Sequence, residues 1–534
     1  MLGGILLVAF GLRARGIDYG LPQIAHMEEP FYTDAAHDLA CDRDLDSSLL
    51  QLHTYVYAVA TKISDELHLF SCKAPHTNNV EMLDTPPELV MIGRWVSITL
   101  AVVGIFLLYH VGRRLYSVEI GLLAALFTAV NFLHVRESQH GTPDISATTL
   151  VLGALLSYIV IAQKRAGRGH YIVAGLVTAL AINTRITLVL LMFPLTFAHL
   201  TAVGLLEERN WLRLRRWFAA VLDVRVWWAA LVFMATLLLA NAQIWVNPVG
   251  YLRYWRDFLS LSRQGGFGNL RVDPLPAPLF YLRAIEWGSG LVLALLMALA
   301  LLWLLRRRTL GDKLLISFVL PYFIVASITS VYFARYIIPI LPLLGLFAAR
   351  LIWEVLPQKR RAVWLTAVLV LLLAIPMQRV LRYGYLQSQT DTRTFARDWV
   401  YNNVPEGSKI AMEWHSPEID SERYDVTFVD FYGLSVDNLD TYRQNGIEYL
   451  IVTSFTRDAE MLQPAAQLHK STFYENLALQ EELIYEIKPY SGDQPPYQID
   501  QVLGPITYLD WFDRPGPTVQ IYRIAANTDP ASPG

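Results

Sequence analysis

Apolar runs long enough to cross a bilayer recur along the first 380 residues, and nothing else in the sequence constrains the fold so tightly. A spanning helix needs about 20 mostly apolar residues to cross roughly 30 Å of hydrocarbon. About eleven runs read as spans: 1–17, 89–111, 118–134, 145–162, 170–184, 186–204, 227–246, 282–305, 314–330, 336–354 and 362–380. The boundary at Asn183-Thr184-Arg185 is the weakest of the set. Composition agrees, because 54% of residues are hydrophobic and 17% charged, where soluble domains carry about 25% charged. A soluble globular chain is excluded. With 14 Trp, 27 Tyr and 23 Phe the chain is not disordered, and a net charge of −3 argues against a nucleic-acid partner.

Basic residues set the orientation. Arg113 and Arg114, then Lys164, Arg165 and Arg168, then Arg213, Arg215 and Arg216, then Arg306 to Arg308, then Lys359 to Arg361 all fall in alternate loops. By the positive-inside rule those loops are cytoplasmic. The loops at about 18–88, 134–144 and 247–281 then lie outside, and an odd number of spans puts the polar tail outside too. The expected fold is mainly α: a polytopic transmembrane bundle over 1–384, including outer loop 18–88, and a small extracytoplasmic α/β domain over 385–534. In the tail, 392–403 reads as a helix. The segments 409–413, 426–429, 449–453, 483–487 and 519–523 read as strands rich in β-branched or aromatic residues.

Two features stay open on the sequence. Arg13 interrupts the first run after twelve residues, or about 18 Å of helix. Either the helix runs on with Arg13 and Arg15 snorkelling outward, or the start codon is placed late, or the run is a signal peptide lacking its basic head. The second is the cysteine pair, Cys41 and Cys72, both in outer loop 18–88. A bridge would close a loop of roughly 30 residues, worth about 3–4 kcal/mol; two separate thiols are the alternative.

Ionisable side chains at membrane depth or at its face are costly and mark function by default. Three groups converge on the outer face. They are His26-Met27-Glu28-Glu29-Pro30, then His134-x-Arg136-Glu137-x-x-His140-x-x-x-Asp144, and Tyr332-x-x-Arg335-Tyr336 ahead of Pro339 and Pro342. Arg94 and Arg185 sit near outer ends of spans. A carboxylate in such a place can take the proton of an attacking hydroxyl, work worth typically about 10²–10⁴-fold. The planar fork of arginine suits a phosphate, which leaves without a general acid once its charge is neutralised. The set fits transfer of a group from a lipid-linked phosphate to a hydroxyl.

At these residues the chain resembles the polytopic GT-C glycosyltransferases, in particular the protein O-mannosyltransferase and aminoarabinose-transferase (family 39-like) branch. The Asp-Glu pair of that branch is similar to Glu28-Glu29 in His26-Met27-Glu28-Glu29-Pro30-Phe31-Tyr32, though Glu28 is longer than Asp by about 1.5 Å, and small misplacements cost rate. Arg136, His140, Pro143 and Asp144 match its second outer loop. Arg94 in Gly93-Arg94-Trp95 and Arg185 match its span-end basic residues. Arg335-Tyr336-Ile337-Ile338-Pro339-Ile340-Leu341-Pro342 matches its Arg-Tyr-x-x-Pro-x-x-Pro segment, so the resemblance covers about 1–350.

The resemblance implies a glycosyltransferase of the cell membrane. It would move a sugar from a polyprenyl-phosphate donor to an acceptor hydroxyl on a protein, lipid or glycan, with inversion, at the extracytoplasmic face. Glu28, or failing that Glu29, would be the base, with Asp144 orienting the acceptor or sharing that role. Arg335, supported by Arg185 and Arg94, would hold the donor phosphate, and His26, Arg136, His140 and Tyr336 would line the pocket. No cofactor is assigned beyond the lipid-phosphate sugar as donor substrate; no residues are assigned to a metal, and a divalent ion is left open. A multi-pass transporter or lipid flippase is the competing expectation, but it needs charges near the midplane and on both faces of a pathway. Each candidate also has a plainer role: Glu28, Glu29 and Asp144 as helix N-terminal charges, Arg335 as a snorkelling side chain, Arg136 and Glu137 as solvated neighbours.

Overall fold

The computed structural model describes residues 1–22, 24, 26, 28–42, 51–72, 86–164, 166–206, 214–263, 275–329, 332–429, 433–462 and 468–525; Met27, Arg165 and Arg213 lie outside them. A helix stands at each apolar run. The chain opens with α1 (Leu2–Ala14), and the first long loop folds into α2 (Glu29–His37) and α3 (Leu52–Glu66). Then come α4 (Pro87–Leu115), α5 (Val118–Ala129), the short α6 (Phe132–Glu137) and α7 (Pro143–Ala162). They are followed by α8 (Arg168–Thr184), α9 (Met192–Ala202), α10 (Leu214–Val221), α11 (Val224–Ala240), α12 (Gln243–Val246) and α13 (Pro248–Arg263). The helical part ends with α14 (Ala277–Ser289), α15 (Leu291–Arg307), α16 (Leu310–Ser327), α17 (Leu341–Val355) and α18 (Arg361–Gln387).

By length and composition, five helical stretches among the described residues would cross a bilayer, or six if α10 and α11, bent by 46°, count as one. Several of the other runs fall short because they are broken at definite residues. Gly290, at φ +74°, splits the run 282–305 into α14 and α15, a backbone angle that favours glycine. Arg185 is extended between α8 and a 3₁₀ turn, Ile186–Leu191, so the weak boundary is a true break. Ala334–Ile340 is also 3₁₀, with Pro339 inside it and Pro342 in the first turn of α17, but it runs on into α17 and Ala334–Val355 together is one of the five. Caps start the intact helices: Ser117 accepts from Ile120 N–H on α5, and Thr309 with Asp312 forms a capping box on α16.

Close approach holds neighbours together where the hydrophobic effect does not distinguish helix from lipid. A Cβ at Gly175 on α8 would lie 2.4 Å from the Ala229 carbonyl of α11, and one at Gly112 on α4 would lie 2.7 Å from Gly121 Cα on α5. Arg13 corrects the snorkelling expectation. It is fully buried, donating to Thr128 and Ala129 carbonyls at 3.3 and 3.0 Å, to Ala9 O at 2.9 Å and to Ser138 Oγ at 3.2 Å. The C-terminal carbonyls of α5 lack helical partners and carry the negative end of its dipole, so they take the cation inward.

Past α18 the chain forms α19 (Thr392–Asn403) and five strands, β1 (Lys409–Glu413), β2 (Asp425–Val429), β3 (Tyr449–Thr453), β4 (Glu482–Ile487) and β5 (Val519–Arg523). The order is β2-β1-β3-β5-β4, with the first three parallel and β5 antiparallel to both β3 and β4. β3 is buried throughout, as its unbroken apolar sequence requires of a strand covered on both faces. This sheet sits at the end of the bundle where the first loop, α6 and the 3₁₀ turn 334–340 lie. Arg382 of α18 donates to Phe512 O at 2.7 Å, and Ile24 N–H donates to Glu418 at 3.0 Å. On α4, the basic pair Arg113 and Arg114 lies about 30 Å along the axis from Arg94 at this end.

Cys41 and Cys72 are bridged, joining the turn after α2 to the chain after α3. Across a loop separation of 31 residues, reduction is expected to remove about 3–4 kcal/mol and to lower the thermal unfolding midpoint; a midpoint indifferent to reductant would exclude a stabilising bridge. A second outcome follows from Glu413, buried at the end of β1 between Thr453 N–H at 2.6 Å and Tyr474 OH at 2.8 Å. Burial first, and Glu460 after it, push this carboxyl up to about 8. The folded state then binds the proton more tightly than the unfolded chain, so this contribution is complete below about 4.5 and is lost as pH rises toward 8. Unfolding of the sheet domain measured from pH 5 to 8.5 should show falling stability, with a shallower fall for Glu413→Gln.

Candidate active site

Glu28 and Glu29 straddle the N-terminus of α2, with Pro30 in its first turn. Successive residues on a helix diverge by about 100°, and here they part completely. Glu29 is fully buried and grips Arg94 of α4 with both oxygens, at 2.9 and 2.7 Å, while its Oε1 also accepts Gly141 N–H at 2.8 Å. Arg94 spends its remaining donors on Ile17 and Tyr19 carbonyls at 2.6 and 2.9 Å. That pair is closed. Glu28 turns the other way, and its side chain keeps 27% exposure. Arg335, 307 residues further along, meets it with a two-pronged contact at 2.8 and 2.5 Å.

A second pair lies beside the first. Asp144, in the first turn of α7 after Pro143, is bonded to Arg185. The break between α8 and the 3₁₀ turn thus serves to aim Arg185. Both guanidinium groups face Tyr336, with Cζ at 5.0 Å from its ring for Arg185 and 5.6 Å for Arg335. Tyr322 OH holds the Tyr336 carbonyl at 2.8 Å. Among the described residues, Nε of Arg185 and Nε of Arg335 are buried N–H donors that make no hydrogen bond. Buried donors are rarely left unpaired, and an anion with several oxygens would satisfy both.

The remaining candidates frame this cluster. His26 and His140 stack at 4.3 Å between ring centres, and Tyr19 OH reaches His140 Nδ1 at 2.6 Å. Burial holds both imidazoles well below the usual histidine range, so they are neutral. His26 Nδ1 accepts Glu28 N–H at 3.2 Å, which orients the backbone that carries Glu28. Arg136 and Glu137 are not solvated: both are buried and paired to each other. Arg136 also donates to the Asp500 and Gly504 carbonyls at 2.6 and 2.9 Å, and Asp500 Oδ1 accepts Ala334 N–H at 2.9 Å. A loop of the sheet domain is thereby wedged between α6 and the turn that bears Arg335.

Tyr32 was not singled out by the sequence reading. It lies four residues after Glu28, one turn of α2, and that spacing is the signal that finds it. Its phenol sits in the field of Glu28, Arg185, Asp144 and Arg335, with burial pushing its ionisation upward. Among the described residues, three metal-ligand atoms lie within 4.8 Å of one another only at His37, Asp38 and Asp42. The acids of the cluster are not part of that group.

Paired acids and arginines lie at one end of a polytopic apolar bundle with a small sheet domain docked over them, and the fold matches the GT-C fold of solved membrane proteins. Residues 90–228 match the family of dolichyl-phosphate-mannose-protein mannosyltransferases. No curated protein sequence matches the chain. Among solved structures, ArnT from Cupriavidus metallidurans, bound to undecaprenyl phosphate, is similar over 100% of this chain and 98% of its own, at 14% identity and TM-score 0.53. The oligosaccharyltransferase of Archaeoglobus fulgidus in its apo form is similar over 88% of this chain and 72% of its own, at 12% identity and TM-score 0.56. The same archaeal protein in complex with an inhibitory peptide and a dolichol-phosphate gives 11% identity and TM-score 0.55 over 88% and 71%.

The two glutamates should separate cleanly on substitution. Arg94→Ala leaves Glu29 buried and unpaired, a loss of about 3–5 kcal/mol, and should abolish the monodisperse folded peak on fluorescence-detected gel filtration. Glu28→Gln, at a half-open position, should leave that peak intact. Equal behaviour of the two variants would remove the distinction drawn between them.

Proposed function

We propose that the protein transfers a sugar from a polyprenyl-phosphate donor to an acceptor hydroxyl at the extracytoplasmic face of the cell membrane. The observation that carries this reading is the meeting of Glu28 and Arg335 beside Asp144 and Arg185. In the resting chain the Arg335 fork is filled by Glu28. A donor phosphate is a stronger claimant to the same fork, because it offers parallel acceptors and more charge. Its arrival releases Glu28, and the orphaned Nε donors of Arg335 and Arg185 complete the phosphate cradle. Tyr336 supplies the wall on which both guanidinium groups rest.

The freed Glu28 carboxylate then takes the proton of the acceptor hydroxyl as that oxygen attacks the anomeric carbon. The bond from this carbon to the phosphate oxygen breaks, its electron pair stays on the phosphate, and polyprenyl phosphate leaves. Attack opposite the leaving group inverts the anomeric centre. Asp144 orients the acceptor while fixing Arg185. In this scheme Glu29 and Arg94 are a positioning pair rather than base and phosphate ligand, since each is fully engaged by the other and by backbone. His26 and Arg136 support the backbone around Glu28 and Arg335. Each acid of the cluster is matched to an arginine, a donor set for an anion rather than for a cation, so no step is routed through a metal.

The domain over 385–534 stands on the extracytoplasmic side in this reading, supported by the basic ends of α4 and α15 at the opposite face. The neighbours' lipid phosphates, undecaprenyl phosphate on ArnT and a dolichol-phosphate on the archaeal transferase, support the donor class. Sugar transfer from a radiolabelled polyprenyl-phosphate sugar should fall about 10²–10⁴-fold in Glu28→Gln. It should fall about 10²–10³-fold in Arg335→Gln, where a charge on the leaving phosphate goes unmatched. Wild-type turnover in both variants would sink the assignment; uptake of the lipid without transfer would favour a flippase.

A further inference from the structure

A cavity of about 540 Å³ opens between α14, α18 and the loops of the sheet domain around Gln498 and Tyr508. It shares no lining residue with the Glu28–Arg335 cluster. Three guanidinium groups reach it: Arg283 from α14, Arg379 and Arg382 from α18. Two are committed. Arg379 donates to Glu286 Oε1 at 2.8 Å and to the Glu286 and Trp287 carbonyls at 2.8 and 2.7 Å. Arg382 holds Phe512 O at 2.7 Å and lies 3.6 Å from Asp510. Arg283 lines the cavity and makes no hydrogen bond or ion pair among the described residues. With Glu286 set against Arg379 and Asp510 against Arg382, the cavity keeps one uncompensated positive charge.

Its depth in the bilayer follows from helix arithmetic. α18 begins at Arg361, within the basic cluster Lys359 to Arg361. Arg379 and Arg382 come 18 and 21 residues later, about 27 and 32 Å along the axis at 1.5 Å per residue. That is the thickness of the hydrocarbon, about 30 Å. If one cluster marks one headgroup layer, the cavity stands at the other. Below it, toward the middle of the bundle, Leu371 and Ile375 of α18 are exposed; on α14, Leu279 and Leu282 are exposed beside Arg283. Tyr508 and Trp511 stand exposed at its rim, as aromatic side chains do at a headgroup boundary.

We propose that this cavity binds the headgroup of a glycerophospholipid with net negative charge. The phosphate sits on Arg283, backed by Arg382, and the acyl chains lie along Ile375 and Leu371. Charge decides between lipids here, because a zwitterionic headgroup brings its own cation to a site that already has one in excess. The walls Gln498 and Ile506 flank the loop whose Asp500 and Gly504 hold Arg136 and Ala334. An occupant of the cavity therefore presses on the same loop that braces Arg335. The proposal stands on depth, shape and charge, and does not need the sugar-transfer reading.

Native mass spectrometry of the full-length protein in mild detergent tests it, with phosphatidylglycerol and phosphatidylcholine as equimolar probes. Wild type should retain phosphatidylglycerol over phosphatidylcholine by about tenfold, the value of one charge-assisted contact, and Arg283→Glu should bring the ratio to parity. Equal retention of the two lipids by wild type, or an unchanged ratio in Arg283→Glu, overturns the proposal. Should Arg283→Glu not elute as folded protein, Arg283→Gln and the wild-type competition decide. Polyprenyl phosphate added at equal concentration should leave phosphatidylglycerol bound; displacement would assign the cavity to the donor lipid and overturn the proposal as well.

Discussion

One buried ion pair organises the membrane end of this molecule. Glu29 and Arg94 have almost no contact with water, and between them they satisfy Gly141 N–H and the Ile17 and Tyr19 carbonyls. A charge pair so placed is costly to bury and still more costly to break. It ties four stretches of chain together at a single point: the segment after α1, the start of α2, the first turns of α4 and the turn before α7. With Glu29 committed, the helical rotation leaves Glu28 facing Arg335. The geometry of the candidate base is a consequence of its neighbour's closure.

The sheet domain is part of the site rather than an attachment to it. Arg136 holds its 500–504 loop from one side, and Asp500 holds Ala334 from the other. Ala334 is the first residue of the 3₁₀ turn that carries Arg335 and Tyr336. In that turn 3₁₀ geometry is poor and Pro339 has no N–H to donate. Its position is set from outside, by Asp500, by Tyr322 and by α7.

Much of this was readable in order of residues. The helix at 392–403 and the strands at 409–413 and 449–453 stand where β-branched alternation and turn residues put them, and β2 and β4 begin one residue early. Apolar runs found helices, but not their breaks: a run of leucines reads alike whether or not Gly290 bends it. The helices inside loop 18–88 escaped because α3 buries little beyond His53, Thr54, Tyr57, Ala58 and Thr61, too mixed a face to stand out. Arg13 misled, since snorkelling and burial beneath a helix end begin from the same residue and differ only in which carbonyls are near. Arg136 misled for the same reason, with its partners Asp500 and Gly504 more than 360 residues away.

Residue order was enough for the class: where the apolar runs fall, which loops are basic, and which acids and arginines had no cheap reason to be near a membrane. Those properties are local, set by transfer free energy residue by residue. The pairing was set by packing in three dimensions. Which glutamate closes on Arg94 and which opens toward Arg335, and that Arg185 leans on Asp144 across Tyr336, depend on distances between helices that are remote in the chain. Charge complementarity permits several such matings, and packing selects one.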